Sequence, residues 1–251
     1  AKFVGYQVRL GECFMTRRTA LITGGAIRVG KAIALALAEQ GYDIAIHYNR
    51  SSHEAVQTAE DVKKFGVNAK LYQANLSDAE QCRDLVERVF KENDLSVLVN
   101  SAAVFPETDS VMEGLAEWDS VMNLNLRAPL ELSKAFVDNT PLSGHIINIL
   151  DARINRPAGD HLVYRLSKSG LWHLTESLAQ DLAPNIQVNG LALGAIMPPP
   201  GASQDHFERM AEKIPLARTG SPKAVGEAVA FLVGQEFVTG VVLPIDGGEF
   251  L

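Results

Sequence analysis

Cysteine is nearly missing from this chain, with only Cys13 and Cys82 among 251 residues. Two cysteines cannot make the disulfide framework of a small secreted domain, and no Cys/His spacing suggests zinc, so no metal is expected. A reducing cytoplasm is the default setting. Long apolar runs are missing too, since none approaches the roughly 20 residues that cross a bilayer. Positive charge is in deficit, 23 Lys and Arg against 30 Asp and Glu, for a net −7. That balance argues against a broad nucleic-acid or anionic-membrane surface. The N-terminal stretch lacks the apolar core of a signal peptide, because Arg9 and Glu12 break it. Met15 is a candidate start, and residues 1–18 read as an extension ahead of one domain over 19–251.

What is present is a regular alternation. Hydrophobic residues reach 47%, enough for a large core without staples. Strand-like runs at Thr19–Thr23, Asp43–Tyr48, Ala69–Gln73, Val97–Val99, His145–Leu150, Ile186–Leu191 and Val241–Ile245 alternate with helix-like stretches. The helices are expected at Arg28–Gln40, His53–Phe65, Asp78–Glu92, Leu115–Asp138 and Leu162–Ala183. Such alternation means right-handed βαβ crossovers and a parallel sheet covered on both faces. The fold class is therefore α/β, one Rossmann-like doubly wound domain with a seven-stranded parallel sheet. A loop at Gly194–Ser203, with prolines at 198 to 200, follows the sixth strand where open α/β sheets bind ligands.

The first strand runs into Thr23-Gly24-Gly25-Ala26-Ile27-Arg28-Val29-Gly30. Glycines in a strand-to-helix turn let the backbone approach a pyrophosphate, whose charge meets the helix N-terminus. The spacing is not the regular G-x-G-x-x-G, so the turn alone is a weak signal. After the second strand comes His47-Tyr48-Asn49-Arg50-Ser51-Ser52, without the carboxylate that usually holds a free ribose diol. Arg50, the serine hydroxyls and Arg28 suit a 2′-phosphate, which favours NADP(H) over NAD(H).

Tyr164 and Lys168 stand at i and i+4 of one helix, so both face one cleft. A nearby ammonium is expected to bring the tyrosine's proton toward the neutral range. Asp151 precedes Tyr164 by thirteen residues, at the end of a strand. His145, His161 and His173 lack metal-ligand spacing and read as solvated or structural.

Together, TGGAIRVG, the Asn100–Ala103 segment NSAA, Asn125, Tyr164-x-x-x-Lys168 and Asp246-Gly247-Gly248 resemble the short-chain dehydrogenase/reductase family, over nearly all of 19–251. The resemblance implies a nicotinamide enzyme. Tyr164 is then the general acid, Lys168 holds the nicotinamide ribose, and Asn125 binds a water linking the lysine to solvent. It implies cofactor contacts from Gly24, Arg28, Val29 and Gly30 in the first turn and from Asn49, Arg50 and Ser51 after the second strand. Further contacts fall to Asn75 and Leu76, to Asn100, Ser101 and Ala102, and to Gly194 and Ile196. A homotetramer is implied as well.

Two positions depart from the general family pattern. Leu193-Gly194 replaces the usual Pro-Gly, and Asp151 stands where a serine is usual. A carboxylate beside a ketone opposes the negative charge that reduction builds on oxygen. Reduction of C=N instead needs a proton on nitrogen, which an Asp–Tyr pair supplies. Pteridine reductases and the similar dihydromonapterin/dihydrofolate reductases carry Asp here, and they resemble this chain in TGGAIRVG and HYNRS. Phe105 matches the aromatic residue that stacks on the pterin in that subgroup. The expected function is NADPH-dependent reduction of a dihydropterin or dihydrofolate C=N bond, with Phe105, Asp151 and Tyr164 binding this small-molecule substrate. The alternatives are a carbonyl or 3-oxoacyl thioester reductase and a non-catalytic NADP(H)-binding regulator. Intact Tyr164, Lys168 and Asn125 argue against the regulator.

Overall fold

The structure, a computed structural model, describes residues 18–106, 111, 116–140, 143–156, 158–198, 207 and 209–251. Seven apolar runs form the strands β1 (Arg18–Ile22), β2 (Asp43–Tyr48), β3 (Ala69–Gln73), β4 (Asp94–Asn100), β5 (Gly144–Asp151), β6 (Ile186–Leu193) and β7 (Val242–Ile245). All pair in parallel, in the order β3-β2-β1-β4-β5-β6-β7. Between β1 and β4 the order reverses, and chains leaving those strands diverge to open a crevice at their C-terminal ends.

Helices cover both faces, which is why the central strands are apolar almost throughout. On one side lie α1 (Arg28–Glu39), α2 (Ser52–Lys63) and a helix near the C-terminus, α7 (Pro222–Val233). Ile33, Leu37, Val62, Val225 and Val229 close this core against Ile22, Ile44 and Ile46. The other side holds α3 (Ala79–Glu92), α5 (Ala128–Asn139) and α6 (Leu162–Asp181). There Leu85, Val89, Leu132 and Phe136 meet Leu21, Leu98 and Ile146. A short α4 (Trp118–Met122) enters α5 through a π-helical turn, Asn123–Arg127.

The parallel seven-stranded sheet agrees with the sequence reading. The strand expected at 97–99 is longer, Asp94–Asn100, because Leu95 is buried as well. The helix expected over Leu115–Asp138 is interrupted by the π turn, and Leu115 itself lies outside the described residues. Helix α7 was not anticipated. Its start is nevertheless written locally: the Ser221 Oγ accepts the Ala224 N–H at 3.3 Å, and Pro222 occupies the first turn. Cys13 and residues 199–203 of the proline-rich loop lie outside the described residues, whereas Cys82 is buried in the α3 core. No helix among the described residues is long and apolar enough to cross a membrane, and no three of their His, Cys, Asp or Glu residues group around a metal position.

Candidate active site

The turn after β1 is shaped by backbone demands. Gly24 holds φ at 62°, in the left-handed region that glycine occupies without strain. A Cβ on Gly30 would overlap the Gly24 carbonyl oxygen, so only glycine lets α1 begin this close to the turn. Thr23 ties the turn to the next strand. Its Oγ1 donates to the Val99 carbonyl at 3.2 Å and accepts the Ser101 and Ala102 N–H groups at 2.9 and 3.0 Å. His47 grips it from the other side: Nδ1 accepts the Gly24 N–H at 3.1 Å, which leaves Nε2 to donate to the Ala74 carbonyl at 3.1 Å. Burial holds this imidazole neutral, with its pKa lowered to about 4.

A cavity of about 470 Å³ runs along the strand ends. Gly24, Arg28, Val29, Gly30, Asn49, Asn75, Leu76, Ser101, Ala102, Gly194 and Ile196 border it, together with Asp151, Tyr164 and Lys168. The start of α1 carries no side-chain cap, so its first N–H groups are available to an anion in the cavity. These features fit a dinucleotide pyrophosphate.

Three expected cofactor contacts are not on this wall. Asn100 is buried between strands, where its amide donates to the Asn148 Oδ1 at 2.8 Å. Arg50 and Ser51 sit past the end of β2, outside the cavity lining. Arg28 does border the cavity, but its guanidinium donates to the Pro198 carbonyl at 2.8 Å. This bond holds the Arg28 guanidinium against the loop after β6, across 170 positions of the chain, while Arg50 lies beyond the lining.

Asp151, Tyr164 and Lys168 come together at one end of this cavity. Asp151 ends β5 and uses both oxygens. Its Oδ1 accepts the Arg153 N–H at 2.9 Å, capping a short 3₁₀ turn, and lies 3.3 Å from the Arg153 Nε. Its Oδ2 accepts the Tyr164 hydroxyl at 3.0 Å. Lys168, buried, donates to the Ile149 carbonyl at 2.8 Å and stands 5.9 Å from the Tyr164 ring centroid.

The electrostatics reverse one expectation. Burial, then the Asp151 charge and its hydrogen bond, raise the Tyr164 pKa well above the ordinary tyrosine value. Burial above all, and the adjoining carboxylate next, keep the phenol protonated. Lys168 responds to burial in the opposite sense, its pKa lowered to about 8.

Asn125 is held by protein partners on the neighbouring loop and helix. Its Oδ1 accepts the Val104 N–H and its Nδ2 donates to the Val104 carbonyl, both at 2.9 Å, with the Ser167 Oγ a further acceptor at 3.3 Å. The π turn aims this amide at the loop that carries Phe105, so its polar atoms are committed to protein partners. Phe105 presents its face to His161, with ring centroids 4.4 Å apart, and meets the Tyr164 ring edge-on at 4.7 Å.

A second cavity, of about 320 Å³, adjoins the first through Asp151, Gly194 and Met197. Phe105, Phe207, Met210 and Phe250 give it apolar walls, while Arg153, His161 and Glu249 add polar groups. The Arg153 guanidinium lies 5.0 Å from the Phe105 ring centroid. His161, read from sequence as solvated or structural, pairs its Nδ1 with the Pro106 carbonyl at 3.0 Å, and its ring forms part of this wall. Arg153, Glu249 and Phe250 were missed, since they converge from separate loops and no spacing in the chain announces them.

The enoyl-(acyl carrier protein) reductase family profile matches residues 25–249. A 3-oxoacyl-[acyl-carrier-protein] reductase of Staphylococcus aureus is 33% identical, over 93% of this chain and 98% of its own length. FolM alternative dihydrofolate reductase 1 from Brucella suis, solved in complex with NADP, superposes with a TM-score of 0.87 at 35% identity, over 92% of this chain and 94% of that one. A short-chain dehydrogenase/reductase from Serratia marcescens gives a TM-score of 0.88 at 28% identity, over 94% and 99% of the two chains. With the Tyr164–Lys168 pair at the strand ends of a seven-stranded parallel sheet and these matches along nearly its whole length, the chain belongs to the short-chain dehydrogenase/reductase family.

Proposed function

We propose that the protein is an NADPH-dependent reductase acting on a C=N bond of a dihydropterin or dihydrofolate. The observation that carries this is the 3.0 Å hydrogen bond from the Tyr164 hydroxyl to Asp151. The likeness to FolM, crystallised with NADP, supports both the cofactor and the substrate class. The glycine turn and the uncapped α1 N-terminus hold the pyrophosphate, and Arg28, with Arg50 beyond the cavity wall, supplies cationic charge for the 2′-phosphate.

Bound NADPH supplies a hydride to the carbon of the C=N bond. Nitrogen then carries the electron pair and takes a proton from the Tyr164 hydroxyl. Until that demand arises, Asp151 and burial keep the phenol protonated. The Lys168 ammonium favours the phenolate that follows and is a source for its reprotonation. With its pKa near 8, the lysine holds a proton at neutral pH yet releases it more readily than a solvated lysine. Phe105 supplies an aromatic platform beside the proton donor.

The 3-oxoacyl thioester reading has the Staphylococcus aureus relative in its favour. Asp151 weighs against it, because a carboxylate near a developing oxyanion costs several kcal/mol, about 4 at 4 Å and an effective dielectric near 20. Rates of NADPH oxidation with dihydrobiopterin, dihydrofolate and a 3-oxoacyl thioester test the choice, in the wild type and in Asp151→Ser. The expected result is pterin or folate turnover that falls in the variant, with the thioester reduced poorly by the wild type. Faster thioester than pterin reduction would falsify the proposal. For the assembly we propose a homotetramer on the family resemblance, checked by sedimentation, with half-exposed Leu130, Leu166 and Phe231 as candidate contacts. A cytoplasmic location fits the scarcity of cysteine.

A further inference from the structure

The second cavity contains a carboxylate that proton transfer does not use. After β7 the chain doubles back through Gly247 and Gly248, at φ 64° and 87°, values that glycine adopts without strain. The Glu249 N–H donates to the Asp246 carbonyl at 3.1 Å and the Gly248 N–H to the Asp246 Oδ1 at 2.9 Å. This tight return brings Glu249 and Phe250 into the cavity wall.

The Glu249 carboxylate is fixed there. Its Oε2 accepts the Ala195 N–H at 3.1 Å. A Cβ on Gly194 would stand only 2.8 Å from the same oxygen, so the glycine makes room for it. Among the described residues, Oε1 accepts no hydrogen bond and no cation forms an ion pair with the group. Its pKa is raised, with burial the leading cause and Asp151 and Asp246 contributing, while the Ala195 N–H and the Arg153 charge offset part of the rise. Apolar walls from Phe105, Met210 and Phe250 surround it. A half-buried carboxylate with one oxygen open to the cavity is placed to accept N–H donors from a ligand.

We propose that Glu249 is a specificity-determining residue that reads two neighbouring N–H donors of the substrate, the amino-amidine edge of a 2-aminopyrimidin-4-one ring. A carboxylate and that edge pair through two parallel N–H···O bonds, as a carboxylate does with a guanidinium. Oε1 has both lone pairs open, and Oε2 retains one beside its bond to Ala195. Arg153 offers only donors and is oriented by Asp151, so it does not compete for the edge. Asp151 and Gly194 border both cavities, which lets one flat ligand present its reacting bond to Tyr164 and another edge to Glu249. This inference rests on the reading of the protein as a reductase of a pterin-like heterocycle and adds what holds the edge remote from the C=N bond.

The experiment titrates pterin and lumazine, which carries an oxo group in place of the 2-amino group, into the NADP-saturated protein by fluorescence. Wild type is expected to bind pterin at least about tenfold more tightly than lumazine. Glu249→Gln keeps the shape and the bond to Ala195 but turns an amide donor toward the ligand. It is expected to weaken pterin binding roughly tenfold to a hundredfold, to leave lumazine much less affected, and to preserve NADPH affinity. A wild type without preference, or a variant that loses both ligands equally, overturns the proposal. The wild-type comparison stands without any variant, so poor folding of Glu249→Gln does not block the test. Turnover of dihydrobiopterin separates the two ideas. Selective pterin binding without reduction sinks the catalytic reading alone, while reduction with an unchanged pterin preference in Glu249→Gln sinks only the Glu249 assignment.

Discussion

Replacing Lys168 with methionine should destroy activity while leaving the fold as stable or more stable at neutral pH. The lysine is 4% exposed, and burial lowers its pKa from 10.5 to about 8. The unfolded chain keeps this proton up to about 10.5 and the folded chain releases it above about 8, so the unfolded state binds more protons between those values. Stability therefore rises with pH across that window. Below it, holding the buried ammonium costs roughly 3 kcal/mol, from the gap of the two pKa values. Methionine removes that cost but leaves the Ile149 carbonyl without its 2.8 Å donor, a loss of about 1–3 kcal/mol. The two effects leave the variant at par or up to about 2 kcal/mol more stable at pH 7. Urea denaturation at pH 7 and at about pH 9.5 reads the difference, which should move against the variant by about 2 kcal/mol at the higher pH as wild type sheds its proton. A variant clearly less stable at pH 7, or a difference indifferent to pH, refutes the reasoning.

His47→Gln probes the opposite end of the pH range. Because the folded imidazole titrates near 4 and the unfolded one near 6.5, wild type should lose stability as pH falls from 6.5 to 4, by about 3 kcal/mol from this residue, and the variant should lose less in acid denaturation curves. Gly30→Ala forces a methyl onto the Gly24 carbonyl, so a destabilisation of about 1–3 kcal/mol and a weaker NADPH affinity are expected by calorimetry. Tyr164→Phe should lower kcat for dihydropterin by about 10²–10⁴ with NADPH affinity nearly unchanged, and equal loss of both would reject the acid role. Arg50→Ala should narrow the preference for NADPH over NADH, measured as a ratio of kcat/KM; an unchanged ratio would remove Arg50 from phosphate recognition.

Much of the fold was legible because local signals and tertiary packing agree. Ile33 and Leu37 follow a helical period and are fully buried, and Gly41 lies just past the helix they mark. Tyr164 and Lys168 are four residues apart on one helix, so their common orientation follows from helix geometry alone. Asp151 was placed by the end of its strand. What was not legible depends on distant segments meeting. Glu249 reaches Ala195 across 54 positions, and Asn125 reaches Val104 across 21. The π turn that aims Asn125 has no period of its own in the sequence. The direction of the Tyr164 shift also escaped, since it depends first on how deeply the fold buries the phenol and then on the carboxylate beside it.

The amide of Asn125 has a consequence for the entropy of binding. It fastens Val104, next to Phe105, and contacts Ser167, whose hydroxyl donates to the Tyr164 carbonyl at 2.7 Å. The segment carrying Phe105 and the helix carrying Tyr164, the proposed aromatic platform and proton donor, are therefore tied into one frame before any ligand arrives. Ordering them takes nothing from the free energy of association, and a flat substrate meets a rigid angle between two rings rather than two independent side chains. A substitution at Asn125 that spares the fold should accordingly show itself as a looser fit, with the donor intact but its partner ring free to wander.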